Sequence, residues 1–300
     1  MRAKICIFLV MAFAFSGCIG IINLGEIGIN KNFGVKTIIP TTKPMMATQD
    51  GTNASADEDV HDEKMIITPG NDNQLQWQGP GEIFVPILLY HHILEHEVEN
   101  IYSVNVSSFR EQMSYLKENG YSTINTQQLA KAITEGANLP QKPVLITFDD
   151  GNENIYLNAY PVMKEFDLTG TVYPIANRLT AGGFLSVDQL NELIIGGWEV
   201  GSHGYTHVDL VEYPDALRNE IGESKKKLEE KLETGILTFA YSFGKASAVT
   251  KDWVKRVGYF SGMGLGIQNF HSEKDIWYLS RRQVNSDTTP LEFIQLLSYN

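Results

Sequence analysis

Cysteine is nearly absent from this 300-residue chain, which contains only Cys6 and Cys18. Beyond residue 18 the chain can therefore form no disulfide bond, and it offers no thiolate as a metal ligand or nucleophile. Any metal site in that part must be built from histidine and carboxylate side chains.

Positive charge is also scarce, because 24 Lys and Arg oppose 36 Asp and Glu and give a formal net charge of −12. This balance argues against nucleic acid as a partner and against electrostatic attraction to anionic lipids. With 43% hydrophobic and 20% charged residues, the composition is that of an ordinary globular protein with one sizeable domain or two small ones.

The apolar run Ile5 to Phe15 is too short to span a bilayer, and it follows Arg2 and Lys4. This layout is typical of an export signal. The segment Phe15-Ser16-Gly17-Cys18 resembles the lipobox of bacterial lipoproteins, in which the signal is cut before a cysteine that carries a diacylglycerol. We expect lipidation at Cys18; the alternative is an ordinary cleaved signal with an incidental cysteine.

Three parts follow from the patterns along the chain. We assign residues 1–17 to a lipoprotein signal peptide and residues 18–79, which are polar and lack a helical or strand period, to a flexible tether. From residue 80 to 300, short apolar runs alternate with capped amphipathic segments, as in βα units. Ser108 with Glu111 and Ser186 with Gln189 predict the capped starts of two of the helices. We therefore expect an exported α/β domain on the outer face of the bacterial membrane, which it contacts only through the lipid anchor.

Two adjacent carboxylates end a predicted buried strand. The apolar run Val144 to Phe148 leads into Asp149 and Asp150, and Gly151 allows the chain to turn sharply after them. Barrel-type α/β enzymes carry catalytic groups at the carboxyl ends of their strands. Taken alone, the pair fits a helix N-cap or a turn equally well.

Two imidazoles follow another predicted strand, at His203 and His207. Two histidines with one aspartate would give a metal ion three protein ligands and leave positions open for water, as in catalytic sites. This donor set suits zinc, and cobalt, nickel or iron can occupy similar sites. A chance pairing of two histidines in one loop is the alternative, and the Asp-Asp pair makes it less attractive.

The segments Thr147 to Gly151 and His203-x-x-x-His207 resemble the first two motifs of the carbohydrate esterase family 4 polysaccharide deacetylases, which have a NodB-like domain. The likeness includes Gly197 to His203 and Phe239 to Tyr241, and it extends over residues 84–290. It implies a distorted (β/α) barrel of about seven strands. The βα alternation agrees with this fold but does not distinguish it from an open sheet.

The resemblance also implies roles for individual residues. It assigns one divalent metal ion, zinc in the first place, to Asp150, His203 and His207, and it makes Asp149 the general base. The backbone N–H of Phe243 would then stabilise the oxyanion.

The third motif departs from the family, because this chain lacks the arginine that usually braces the base. Arg281 is the candidate replacement, since Leu279-Ser280-Arg281 resembles a late motif in one branch of the family. Arg282 is a second candidate, and an ordinary surface arginine is the alternative for either. Gly204 stands where the family usually has Ser or Thr.

The usual C-terminal Leu-x-His of the family is missing, whereas the first strand ends in Tyr90-His91-His92. This arrangement resembles the permuted poly-N-acetylglucosamine deacetylase branch, and it implies His91 as the general acid. We interpret His92 as a core or rim histidine.

We therefore expect a hydrolase acting on linear amides, which removes N-acetyl groups from a cell-surface or cell-wall polysaccharide similar to poly-N-acetylglucosamine. Two alternatives stay open. One is an esterase that removes O-acetyl groups from xylan or peptidoglycan. The other is a surface glycan-binding protein with weak or no activity.

Overall fold

The computed structural model describes residues 75–96 and 100–298. The predicted signal peptide, Cys18 and the predicted tether up to residue 74 lie outside the described residues. Within the described ranges, no helix combines the length and apolarity needed to cross a membrane.

Fourteen strands and seven α-helices alternate along these residues. The strands are β1 Leu75–Gln78, β2 Ile83–Phe84, β3 Ile87–Tyr90, β4 His92–Leu94, β5 Ser103–Asn105, β6 Ser122–Thr123, β7 Ala137–Pro140, β8 Pro143–Asp150, β9 Thr171–Pro174, β10 Glu199–Val200, β11 Thr238–Ala240, β12 Ser261–Met263, β13 Phe270–His271 and β14 Arg282–Gln283. The helices are α1 Val106–Glu118, α2 Thr126–Thr134, α3 Tyr160–Glu165, α4 Val187–Ile195, α5 Ser224–Leu232, α6 Ala248–Val257 and α7 Pro290–Leu296. Single π-helical turns, Ile155–Ala159 and Arg218–Glu223, precede α3 and α5.

A parallel sheet forms the centre of the fold. Its strands lie in the order β10, β9, β8, β3, β14, and the short β6 pairs with the start of β8. All of these pairs are parallel. Seven of the eight residues of β8 are buried, as expected for a central parallel strand with both faces covered. The predicted α/β class and the predicted strand before Asp149 are confirmed.

The strands β11 and β12 form a separate parallel pair. Isolated bridges join Ser202 to Phe239 and Met263 to Leu279, next to the two ends of the central sheet. Regular strand pairing does not close these pieces into a ring within the described residues. The predicted barrel of about seven strands is therefore not confirmed as a closed barrel.

The folded region begins earlier than predicted. The strand β1 pairs antiparallel with β7, so ordered structure starts at Leu75 at the latest and includes the last residues that we assigned to the tether. The prediction of a domain start at residue 80 is thus wrong by at least five residues. Leu75 and Trp77 on this edge strand are both exposed. The strand therefore buries no apolar face, which is the feature that a sequence pattern would reveal.

Helix capping was predicted well in one case and wrongly in another. At α4, the Ser186 side chain accepts from the Gln189 N–H and the Gln189 side chain accepts from the Ser186 N–H, which is the predicted capping box. At α1, the cap is Asn105, whose side chain accepts from the Ser107 N–H, and the predicted start at Ser108 is wrong. Asparagine is as good an N-cap as serine, so the choice between neighbouring caps is a local competition.

His271 is a buried structural histidine far from the chemistry that the sequence suggested. It is 1% exposed on β13, and its Nε2 lies 3.0 Å from the carbonyl oxygen of Val85. Burial lowers the pKa of His271 to about 4, although the hydrogen bond to Val85 acts in the opposite direction. The folded state therefore holds this imidazole neutral at neutral pH.

This histidine should make the fold sensitive to acid. The unfolded chain binds a proton at His271 near pH 6.5, whereas the folded chain binds it only near pH 4, so its contribution to stability is complete above pH 6.5 and is lost between pH 6.5 and 4. Between pH 7 and 5, the wild type should lose roughly 2 kcal/mol more unfolding free energy than His271→Gln. Urea unfolding at both pH values measures the difference, and equal losses in the two proteins would contradict it.

Candidate active site

A cavity of about 250 Å³ opens at the carboxyl ends of the central strands. Parallel strands bring their carboxyl ends to one edge of a sheet, so residues that are far apart in sequence meet there. Apart from Arg282, all residues predicted for the catalytic and metal site line this cavity. The lining residues are Leu89, His91, His92, Tyr102, Asp149, Asp150, His203, His207, Phe243, Gly244, Leu265, Arg281 and Gln283. Arg282, the alternative brace, instead donates to the Ile267 carbonyl at 2.7 Å.

Asp150, His203 and His207 form a compact group of possible metal ligands. One donor atom from each lies within 4.8 Å of the others. Asp150 Oδ1 is 3.7 Å from His203 Nε2 and 3.6 Å from His207 Nε2. Ligands about 2.0–2.2 Å from an ion at tetrahedral angles are about 3.3–3.6 Å apart, so the spacing fits an ion held between these atoms.

The tautomer of His203 and the pKa of His207 also suit metal binding. His203 Nδ1 lies 2.8 Å from the Ala240 carbonyl oxygen, which requires a proton on Nδ1 and leaves Nε2 as the ring nitrogen that faces Asp150. Burial, followed by the neighbouring His203, lowers the pKa of His207 to about 4. The His207 ring is thus neutral at neutral pH, as a metal ligand must be.

Two of the ligand residues adopt left-handed backbone conformations. Asp150 has φ 70° and His207 has φ 69°, and Gly151 follows with φ 72°. Non-glycine residues in this region store strain, typically about 1–3 kcal/mol each, and such residues cluster at functional sites. At Gly151 a Cβ would lie 2.7 Å from Pro174 Cα, so only glycine fits beside β9.

Asp149 is held by Arg281 in a buried, two-pronged ion pair. Arg281 Nη1 donates to Asp149 Oδ1 at 2.7 Å, and Nη2 donates to Oδ2 at 2.6 Å. The two residues are 1% and 3% exposed. Arg281, rather than Arg282 or a surface arginine, therefore contacts the predicted base.

This pair determines the charge of Asp149. Burial raises the pKa of the carboxyl group, but the charge of Arg281, then His203, and the hydrogen bonds from Arg281 outweigh burial and hold the pKa well below its usual range. Asp149 is consequently ionised throughout the physiological range, although it is removed from solvent.

The predicted proton donor lines the same cavity. The His91 ring packs against the Tyr102 ring at an angle of 48° with ring centroids 4.9 Å apart, and its buried Nδ1 finds no hydrogen-bond partner among the described residues. Burial lowers the pKa of His91, while Asp149 and Asp150 act in the opposite direction. His92 has a different environment, since its Nδ1 lies 3.1 Å from Asn154 Nδ2 at the rim.

Phe243 marks the altered third motif. It has a left-handed backbone, with φ 58° and ψ 14°, and its ring centroid lies 4.6 Å from that of His207. Its side chain is 55% exposed at the mouth of the cavity. The structure thus places the Phe243 ring against the predicted metal ligand His207.

Two residues near this site, Tyr102 and Glu220, were not predicted from the sequence. Tyr102 follows the undescribed residues 97–99, and no apolar period or motif pointed to it. Glu220 lies one helical turn before Ser224, and both side chains are buried on the face toward the His203–His207 loop. No motif or spacing in the sequence marks either of these two residues.

Comparison with known proteins finds similarity to polysaccharide deacetylases. The polysaccharide deacetylase family model matches residues 136–261. YxkH of Bacillus subtilis, whose name assigns it to the polysaccharide deacetylases, is 29% identical over 180 residues, which are 60% of this chain and 63% of the relative. The matched part therefore spans less than two thirds of that relative's length.

Two further comparisons agree with the first. The poly-β-1,6-N-acetyl-D-glucosamine N-deacetylase of Staphylococcus aureus is 23% identical over 219 residues, 68% of this chain and 75% of the relative. The solved structure of the Streptococcus pyogenes deacetylase PplD in complex with acetate superposes with a TM-score of 0.68 at 25% identity, and it covers 72% of this chain and 99% of that one. Residues 136–261 thus match the polysaccharide deacetylase family model, and the described fold is similar to that of a solved deacetylase.

Proposed function

We propose that this protein is a metal-dependent hydrolase that removes N-acetyl groups from a polysaccharide similar to poly-N-acetylglucosamine. The observation that carries the proposal is the convergence in one cavity of an Arg281-held Asp149 with Asp150, His203 and His207. The likeness to the Staphylococcus aureus enzyme named for β-1,6-linked N-acetylglucosamine supports this choice of substrate. The exposed aromatic rings of Tyr102 and Phe243, which line the cavity, are also suited to contact a sugar ring.

Asp150, His203 and His207 would hold one divalent ion, and we propose zinc because two imidazoles and a carboxylate are common zinc ligands. When bound, such an ion polarises the acetyl carbonyl and lowers the pKa of water from about 15.7 toward 7.

The protein's own groups then have separate tasks. Ionised Asp149 accepts a proton from the attacking water, and Arg281 keeps its carboxylate oriented. The backbone N–H of Phe243 donates to the oxyanion that forms when water adds to the carbonyl carbon. His91, which lines the same cavity, donates a proton to the amine nitrogen as the C–N bond breaks and acetate is released.

We also propose that the parallel strands form a distorted barrel of about seven strands. The isolated bridges Ser202–Phe239 and Met263–Leu279 support this proposal, because they lie where β10 would meet β11 and where β12 would meet the segment before β14. The solved structure of PplD supports the same fold family.

Replacing the base and a metal ligand should separate two kinds of loss. Asp149→Asn should lower acetate release from β-1,6-linked N-acetylglucosamine oligomers by about 10²–10⁴-fold, because it removes the proton acceptor, yet it should still bind the ion. Asp150→Ala should lose both activity and ion. Acetate release and bound metal, measured by elemental analysis, test this, with the exposed Glu230→Gln as control.

The same assay distinguishes the alternatives. Chelation should abolish acetate release and zinc should restore it. Turnover of acetylxylan without turnover of the glucosamine oligomers would favour the O-acetyl esterase. Oligomer binding without acetate release from any substrate, even with metal added, would leave only the glycan-binding protein.

The role of His91 can be tested by changing the leaving group. His91→Gln should reduce release from the N-acetyl oligomer by about 10²-fold or more, because the leaving amine requires a proton. It should reduce hydrolysis of 4-nitrophenyl acetate far less, because nitrophenolate leaves unprotonated. His92→Gln is the matched neighbour and should affect both substrates only slightly; equal losses on both substrates for His91→Gln would exclude the general-acid role.

We propose further that the protein is exported and held on the outer face of the cell membrane by a lipid on Cys18. Cys18→Ser should move the protein from the membrane fraction to the soluble fraction or the medium, because it removes the thiol that would carry the lipid. Fractionation and mass spectrometry of the mature N-terminus test this. An unchanged distribution, or an unmodified Cys18 in the wild type, would contradict the anchor.

A further inference from the structure

We infer that Glu220 is a positioning residue that holds the His203–His207 loop in the conformation required for metal binding. The inference rests on the metal site of the proposed function. Glu220 does not line the cavity, and it acts through the backbone of the loop that carries His207.

The Glu220 carboxylate is surrounded by donors from this loop. Its Oε2 accepts from the N–H groups of Tyr205 at 2.8 Å, Thr206 at 2.9 Å and His207 at 3.2 Å. Its Oε1 accepts from the Thr206 hydroxyl at 2.6 Å. Glu220 is only 2% exposed, so these bonds replace its solvation. Such charge-assisted bonds are roughly twice as strong as neutral ones.

The contacts explain how His207 can adopt a strained conformation. Three successive N–H groups converge on one anion only when the backbone curls into a concave turn, and the left-handed φ of 69° at His207 is part of this turn. Without the carboxylate, the three N–H groups would lose their common acceptor and the strain at His207 would be uncompensated. The loop conformation that keeps His207 Nε2 facing Asp150 would then lose its stabilising contacts.

The Glu220 carboxylate also explains why glycine stands at position 204. A Cβ at Gly204 would lie 2.8 Å from Glu220 Oε2, and the residue has φ 83°. The Ser or Thr that the family usually has here would therefore push against the carboxylate. In this chain Glu220 and the Thr206 hydroxyl brace the loop, and glycine leaves room for them.

A second contact fixes the helical turn that presents Glu220. Ser224, four residues later, accepts from the Ser202 hydroxyl at 2.9 Å and donates to the Glu220 carbonyl. Ser202 directly precedes the ligand His203. Glu220 itself lies in the π-helical turn Arg218–Glu223, a type of turn that is frequent at functional sites.

Glu220→Gln keeps the shape of the side chain but places an NH₂ group where an oxygen accepts hydrogen bonds. We expect the dissociation constant for zinc, measured by competition with a chromophoric chelator, to rise about 10–100-fold, as for other partners that orient metal ligands. Glu223→Gln, on the same turn, should leave the constant within about twofold of wild type. A zinc affinity equal to wild type in folded Glu220→Gln would overturn the inference.

The melting temperatures of the metal-free proteins separate positioning from general stability. A purely structural role would lower the melting temperature of metal-free Glu220→Gln and leave zinc affinity unchanged, which also overturns the inference. If Glu220→Gln fails to fold, Thr206→Val removes only the 2.6 Å hydroxyl bond. It should still weaken zinc binding, by less than Glu220→Gln, and unchanged binding would count against the role.

A double-mutant cycle tests the link to Gly204. Gly204→Ala should weaken zinc binding in the wild type because its Cβ displaces the carboxylate. In the Glu220→Gln background the same change should weaken binding much less, since the brace is already lost. Additive effects would contradict the coupling.

These outcomes do not depend on turnover. A wild type that binds zinc but releases no acetate from any acetylated glycan would refute the proposed function and leave the role of Glu220 intact. A wild type that releases acetate, together with Glu220→Gln that binds zinc normally, would refute only the role of Glu220.

Discussion

The buried ion pair between Asp149 and Arg281 is the interaction on which the catalytic edge depends. Removing two charges from water costs several kcal/mol for each, so the pair persists only because its geometry is excellent. Two short bonds join the groups, Arg281 Nε donates to the Gly264 carbonyl at 3.0 Å, and the guanidinium lies 5.6 Å from the Tyr173 ring centroid. Loss of either partner would leave a buried unpaired charge, which typically costs about 3–5 kcal/mol.

The pair also explains how two adjacent aspartates acquire different chemistry. Asp149 remains in the strand and is clamped by Arg281, so its carboxylate is ionised and cannot rotate freely. Asp150 adopts a left-handed backbone, its side chain is 23% exposed, and its Oδ1 faces the two imidazoles. In the proposed function, Asp149 accepts a proton and Asp150 binds the metal ion. Adjacent residues can differ in this way because β8 ends at Asp150, where the backbone becomes left-handed.

Local patterns predicted much of this arrangement. The apolar run before Asp149, the turn at Gly151 and the capping box at Ser186 depend on nearby residues, and each is visible in the sequence. The contact of Arg281 with Asp149 spans 132 positions, and no local pattern distinguishes it from an arginine on the surface. The resemblance to a late family motif named Arg281 as a candidate, and the packing of β14 against β3 and of β3 against β8 supplied the proximity.

Other features were not predictable for physical reasons. The edge strand β1 is exposed and therefore carries no apolar period, so the start of the folded region was placed too late. The burial of Glu220 could not be predicted, because burial of a carboxylate is decided by the donors it meets and not by its neighbours in sequence. Its partners are the N–H groups of a loop 13 to 15 residues earlier, and backbone donors leave no trace in the residue types.

The position of the candidate proton donor in the sequence follows from the geometry of parallel strands. His91 follows the end of β3, and β3 is the direct neighbour of β8, whose end carries Asp149 and Asp150. Neighbouring parallel strands end on the same edge whatever their order along the chain. A histidine near the start of the domain can thus face the same cavity as one contributed from its C-terminal end. The order of the motifs along the chain can therefore change, and the base, the metal ligands and the acid can still meet in one cavity.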